Sequence, residues 1–402
     1  MAHLDGMIIT EDDREGPLTF GIEMEFLMPM LHQKDEDPDP HDPRPIFRAH
    51  NDDDVHFPEK IDAFLMDHLG SLAGDGITLR DEANDEFIEP HDNVVKYDAW
   101  RIIMDSSVKA GAEAKYKAYV WAGKEITSEV LRTTDPDAYY KIMVLCRAMR
   151  NIRVHLNDSC GLHVHIGRGD DGLSLKTMKK FSVLAWISDA ILLDLQHPSR
   201  WDNSYCKKMS LYARLSDGHV TRGQGDLEAR LDNAQREDAL RHIPDSLEGL
   251  LLHKVKCIWA TTSLEELAIL MGNTSDIHAR NPMRAAVRGT FGYRRFLPAG
   301  KTGGNTNTIE FRQMVGSLDP QHINNWVKLC VGLVDFARLS TADEFCSLVA
   351  EASKGRYNFA QMLRDLKLGQ DVPFWSNKVL AYAKIDAEVY EGSKESLFLR
   401  RL

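Results

Sequence analysis

The chain has 402 residues, 43% hydrophobic and 27% charged, with a formal net charge of -12. That supplies ample apolar material for a packed core, and an acidic balance without any basic run argues against a nucleic-acid partner or an anionic membrane surface. Six scattered cysteines with no Cys-x-x-Cys pair argue against a zinc knuckle and fit free thiols in a reducing, cytoplasmic compartment.

The N-terminus lacks a basic start followed by an apolar stretch, so no secretory signal is predicted. A first strand is predicted over 19–28, containing Gly21-Ile22-Glu23-Met24-Glu25-Phe26. Side chains alternate between faces in a strand, so Glu23 and Glu25 share one face while Ile22, Met24 and Phe26 cover a core. The Asp- and Pro-rich stretch 33–58 reads as a solvated loop or lid that buries little. A helix over 59–72 follows, then strand-like pieces at 77–79, 100–104 and 119–127. Asp135-Pro136 predicts the start of a helix running to about 151.

The stretch 152–156, an Asn-Asp-Ser turn, and Cys160-Gly161-Leu162-His163-Val164-His165-Ile166-Gly167 read as a hairpin, with His163 and His165 on one face. Ser174 is placed to cap a helix to about 195; its apolar run is broken by Asp189 and Asp194, which suits a buried helix rather than a membrane span. A charged insertion over 214–241 and one or two helices over 246–271 come next. A second strand pair is predicted at 285–296 and 306–315, joined by the Gly-rich loop 300–304, which lacks P-loop spacing. In Thr308-Ile309-Glu310-Phe311-Arg312-Gln313, Glu310 and Arg312 share a face; from 319 the pattern is helical.

Strands and helices alternate without a βαβ rhythm. The expected class is therefore α+β, with an antiparallel sheet and helices on its outer face. Any one of the three i, i+2 motifs suits an ordinary half-solvated strand. Together they gather carboxylates, imidazoles and a guanidinium, a set suited to divalent metal and polyphosphate.

With these segments the chain resembles the amidoligase family, relatives of glutamine synthetase and glutamate–cysteine ligase. The resemblance rests on Gly21 to Glu25; Trp100 with Asp105-Ser106-Ser107; Glu125-Ile126-Thr127-Ser128, with Glu129 where proline is usual; Cys160 to Gly167; Arg200, Asn203, Tyr205 and Cys206; and Thr308 to Arg312 with Gly316 to Asp319. It implies a single catalytic domain over 1–402, with a motif core at about 18–330 and a helical C-terminal extension. The implied fold is a curved, glutamine synthetase-like antiparallel sheet.

The implied activity is ATP-dependent joining of a carboxylate to an amine through an acyl phosphate. Glu23, Glu25, Glu125, His163 and Glu310 would hold two or more Mg²⁺ ions, with Mn²⁺ as a substitute. Arg312 would clamp the γ-phosphate, with His165 and Arg295 as further phosphate contacts. Asp105 would orient or deprotonate the amine; its other reading is a turn residue before Ser106. The substrates would be small-molecule or peptide carboxylates and amines, which the sequence does not specify, nor does it fix the oligomeric state. Two other classes remain open at this point: a cupin-like oxygenase using the His-x-His pair, and an inactive scaffold of the same fold.

Overall fold

A computed structural model describes residues 16–50, 58–81, 97–112, 117–169, 171–216, 222–272, 289–296 and 307–384. The protein is mixed α/β with a large mixed sheet. It divides into two compact units: one formed by Phe20–Val164 and Met314–Val327, the other by His165–Gln313 and Lys328–Lys384, with 16–19. The Gly-rich loop 300–304 lies outside the described residues.

The first unit is built on β1 (Thr19–His32), β2 (Phe47–Ala49), β3 (Leu79–Asp81), β4 (Trp100–Met104), β5 (Val120–Thr127), β6 (Leu131–Arg132) and the first residues of β7 (Gly161–Gly167). β4 has the bounds that its apolar run predicts. The order β3-β4-β5-β1-β7 is hydrogen-bonded throughout, and β2 and β6 also pair with β1. β1 and β4 run antiparallel to β5, but β1–β2 and β3–β4 are parallel pairs. The expected antiparallel sheet is therefore mixed.

β1 is longer than its alternation suggested. From Met24 to Leu31 every residue is buried, so both of its faces are covered and the polar–apolar rhythm ends after Glu25. Pro29 does not stop it. Leu27 exchanges backbone hydrogen bonds with His155 at 2.8 and 2.9 Å, and Pro29, without an N–H, falls between that bridge and the pairing with β2 that begins at Met30. The predicted hairpin within 152–167 is thus corrected: the 152–156 stretch pairs instead through His155 with Leu27 of β1.

Helix Pro58–Leu69 buries Ile61, Leu65 and Leu69 at helical spacing. Beside them the buried Asp62 pairs with Lys124 of β5, which is fully buried. The loop after β1 is largely exposed over 33–43, as its composition predicts, but it is also fastened to the body of the unit. Arg153 donates to the Arg44 carbonyl at 3.0 Å, to Asp37 at 2.8 Å and to the Asp42 carbonyl at 2.5 Å, while Arg44 forks onto both Asp42 oxygens. Glu129 pairs at 2.6 Å with Lys141 of the helix Asp137–Met149.

The second unit holds β8 (Phe291–Gly292), paired antiparallel with β9 (Ile309–Val315). Phe181, Phe291 and Phe311 pack edge to face at 5.3 to 5.6 Å beneath this pair. Phe181 belongs to the helix Leu175–Asp194, which starts where the sequence predicts: Ser174 Oγ accepts from the Thr177 N–H at 3.1 Å. From that helix two buried lysines reach the ends of other helices. Lys179 Nζ donates to the Trp259 carbonyl at 2.9 Å, closing Gly249–Trp259, and Lys180 Nζ donates to Ser340 at 2.7 Å, just past Pro320–Leu339. The stretch 246–271 resolves into two helices, Gly249–Trp259 and Leu264–Met271. Among the described residues no helix is long and apolar enough to cross a membrane.

Candidate active site

In the first unit, antiparallel register sets Glu25 of β1 directly opposite Glu125 of β5. Both are buried despite their charge, and His163 of β7 is buried with them; Glu23 is half-buried. His163 Nδ1 lies 3.0 Å from Glu23 Oε2, and its Nε2 lies 3.5 Å from Glu25 Oε1. The imidazole thus bridges the two β1 carboxylates. Glu25 Oε2 also accepts the Gly161 N–H at 2.5 Å. Ser128 fixes the start of β1 against the end of β5: its Oγ accepts the Ile22 N–H at 2.9 Å, and its N–H donates to the Ile22 carbonyl at 2.8 Å.

Asp105 arrives from the end of β4. Its N–H donates to the Gly123 carbonyl at 3.1 Å, and its Oδ1 accepts the Ser107 N–H at 2.7 Å. This crossing needs a glycine beneath it: a Cβ on Gly123 would lie 2.3 Å from the Asp105 carbonyl oxygen and 2.5 Å from that of Val108. A glycine inside a strand signals such close approach, and it was the clue available in the sequence. Asp105 consequently makes the turn that its sequence suggested and also joins the carboxylates.

Two overlapping sets of ligand atoms result. One oxygen or nitrogen from each of Glu25, Asp105 and Glu125 lies within 4.8 Å of the others, and so do those of Glu23, Glu125 and His163. The first set is all carboxylate, which suits a hard cation such as Mg²⁺ or Mn²⁺; the second adds one imidazole. Glu125 belongs to both. Three carboxylates this close repel one another unless a cation or protons offset their charge.

In the second unit, Arg312 pairs with Glu310 two residues back on β9. Its Nε donates to the Tyr205 carbonyl at 3.3 Å, and its own carbonyl accepts from the buried Arg200 at 2.8 Å. Asn203 turns the chain beneath Tyr205 by accepting its N–H at 2.8 Å. The Arg200–Cys206 segment, read in the sequence without a role, is therefore the frame that holds Arg312. Glu310 lies opposite Gly292, where a Cβ would come 2.4 Å from its Oε2. His165 Nδ1 lies 3.4 Å from Thr308 Oγ1. Arg295 sits on a 3-10 turn, Arg294–Phe296, rather than on the predicted strand.

Paired carboxylates with one imidazole on a sheet face are a donor set of the kind that can hold a divalent cation. Residues 16–213 match the family described as "Putative amidoligase enzyme". The match includes Glu23, Glu25, Asp105, Glu125, His163 and His165, and ends before Glu310 and Arg312. No curated protein and no solved structure matches the chain.

Proposed function

We propose that this protein is an ATP- and Mg²⁺-dependent carboxylate–amine ligase that forms an amide through an acyl phosphate. The match to the amidoligase family over 16–213 supports a ligase. The observation that carries the rest is the all-oxygen set of Glu25, Asp105 and Glu125, with Glu23 and His163 beside it. Mg²⁺ held there would neutralise charge on the phosphate oxygens of ATP, the main requirement of phosphoryl transfer.

The reaction has two steps. A substrate carboxylate oxygen attacks the γ-phosphorus and ADP leaves; the amine nitrogen then attacks the acyl carbon, phosphate leaves, and the nitrogen gives up a proton. Glu25 and Glu125, held rigid by strand pairing, would fix the cation against movement during the first step. Asp105 serves better as a cation ligand than as the proton acceptor of the sequence reading, since its carboxylate lies among the other two. His163 would orient Glu23. On β9, Arg312 would clamp phosphate through its planar fork, with Glu310 as a further cation ligand and His165 and Arg295 as phosphate contacts.

The donor chemistry favours this reading over a cupin-like oxygenase, since a set of three carboxylates suits a hard cation better than a His-rich iron site. The test is a screen of amino acids, peptides and other carboxylic acids for amine-dependent ADP release with Mg-ATP. ADP formed only when acid and amine are both present supports the ligase. Bound iron without any ATP turnover refutes it.

A further inference from the structure

Gly316 follows β9 and belongs to the first unit, as do Cys160, Gly161 and Glu25. Its N–H donates to the Cys160 carbonyl at 2.8 Å. A Cβ at 316 would lie 2.7 Å from Cys160 Cβ, 3.2 Å from its carbonyl oxygen and 3.3 Å from its carbonyl carbon. The backbone there does not occupy the left-handed region, so glycine is needed for space and not for conformation.

Cys160 has no room to retreat. It is fully buried, packs with Leu27 and Val108, and its N–H donates to the Asn157 carbonyl at 3.0 Å. The peptide group under pressure is the one joining Cys160 to Gly161. At one end its carbonyl accepts from Gly316; at the other its N–H donates to Glu25 at 2.5 Å. That group is planar and rigid, so displacing the carbonyl end swings the N–H.

We propose that Gly316 is a positioning residue for Glu25: the close approach of its backbone to Cys160 sets the peptide plane whose N–H aims the carboxylate into the cation set. This rests on the reading of Glu25 as a metal ligand. Partners one step behind a ligand typically change metal affinity about 10- to 100-fold when lost.

Gly316→Ala in ¹⁵N-glycine-labelled full-length protein gives two separate readouts. The Gly161 amide proton, held downfield by a short bond to a carboxylate, should move upfield, and Mn²⁺ affinity should fall by about 10- to 100-fold. Cys160→Gly in the same chain removes the opposing Cβ, so the double variant should recover the amide position and most of the affinity. It also serves if Gly316→Ala alone folds poorly. An unmoved Gly161 amide in Gly316→Ala overturns the clamp, as does a double variant that fails to recover. A displaced amide with wild-type Mn²⁺ affinity overturns the link to metal. If the wild-type protein itself binds no Mn²⁺, the metal reading of the function falls, and the amide position alone decides the clamp.

Discussion

Glu125→Gln tests the central electrostatic claim because Glu125 is shared by both ligand sets. The side chain keeps its shape and loses its charge. Glu125 has ligand oxygens within 4.8 Å of those of Glu25 and Asp105. At an effective dielectric constant near 20, two like charges 4.8 Å apart repel by about 3.5 kcal/mol before the cluster takes up any protons. A net relief of about 1–2 kcal/mol in the metal-free protein is a reasonable remainder. For a 402-residue chain, with an unfolding entropy of about 2.1 cal/mol/K per residue, that raises Tm by about 1–2 °C. The wild-type protein, in contrast, gains about 2.7 kcal/mol when the cation is present at 100 times its Kd, and the variant loses most of that gain. The order of stability should therefore invert: variant above wild type in chelator, wild type above variant in Mg²⁺ or Mn²⁺. Thermal melting under both conditions reads this directly. A variant that melts lower in chelator and shows the full wild-type metal shift would falsify the reasoning.

Arg312→Lys keeps the charge beside Glu310 but loses the fork. Turnover should fall far more than ATP affinity, measured by steady-state kinetics and by nucleotide binding; near-normal turnover would leave Arg312 as a strand ion pair. Burial raises the carboxyl groups of Asp37 and Asp42, but hydrogen bonds and charge from Arg153 and Arg44 outweigh it and hold both below the usual carboxylate range. Their contribution is present above the unfolded value, near pH 4, and is lost as pH falls through the lower folded values. Amide exchange over 33–46 should accelerate in that acid window before the strands open, and simultaneous opening would contradict it. Burial pushes Lys179 down to about 8, so the folded state disfavours its charge. Between pH 8 and about 10.4 the unfolded chain binds more protons, and stability from this group rises with pH. Subtracting the Tm–pH curve of Lys179→Met from that of wild type should show this rise, and a flat difference would remove the assignment.

The local features were legible where a side chain acts on its own neighbourhood. Ser174 caps its helix, β4 follows its apolar run, and the Glu-x-Glu and His-x-His faces were readable from alternation alone. What escaped depends on distant partners. The Asp- and Pro-rich loop has a solvent-like composition, yet it is fastened by Arg153, more than a hundred residues away. Pro29 reads as a strand breaker until the ladder on its bare side is seen to be interrupted there. The parallel partners β2 and β3 are three residues long, too short to announce their direction. Asp105 was legible both as a residue to orient or deprotonate an amine and as a turn residue, and it does make the turn. Its place among carboxylates follows from a turn crossing Gly123, a relation that spacing along the chain does not reveal.

Strand β5 sets two adjacent charges against different kinds of counterion. Lys124 is paired with Asp62 from within the chain, whereas Glu125, on the other face, belongs to the set proposed to hold a cation from solution. The two faces should therefore diverge differently among relatives. Positions 62 and 124 are free to drift only as a pair, since losing one partner strands a buried charge while replacing both with apolar residues is tolerable. Position 125 is tied instead to the side chains around it, Glu23, Glu25, Asp105 and His163 among them. Its latitude is set by the ion it meets, and a relative that has lost Glu125 should have lost its neighbouring carboxylates along with the chemistry.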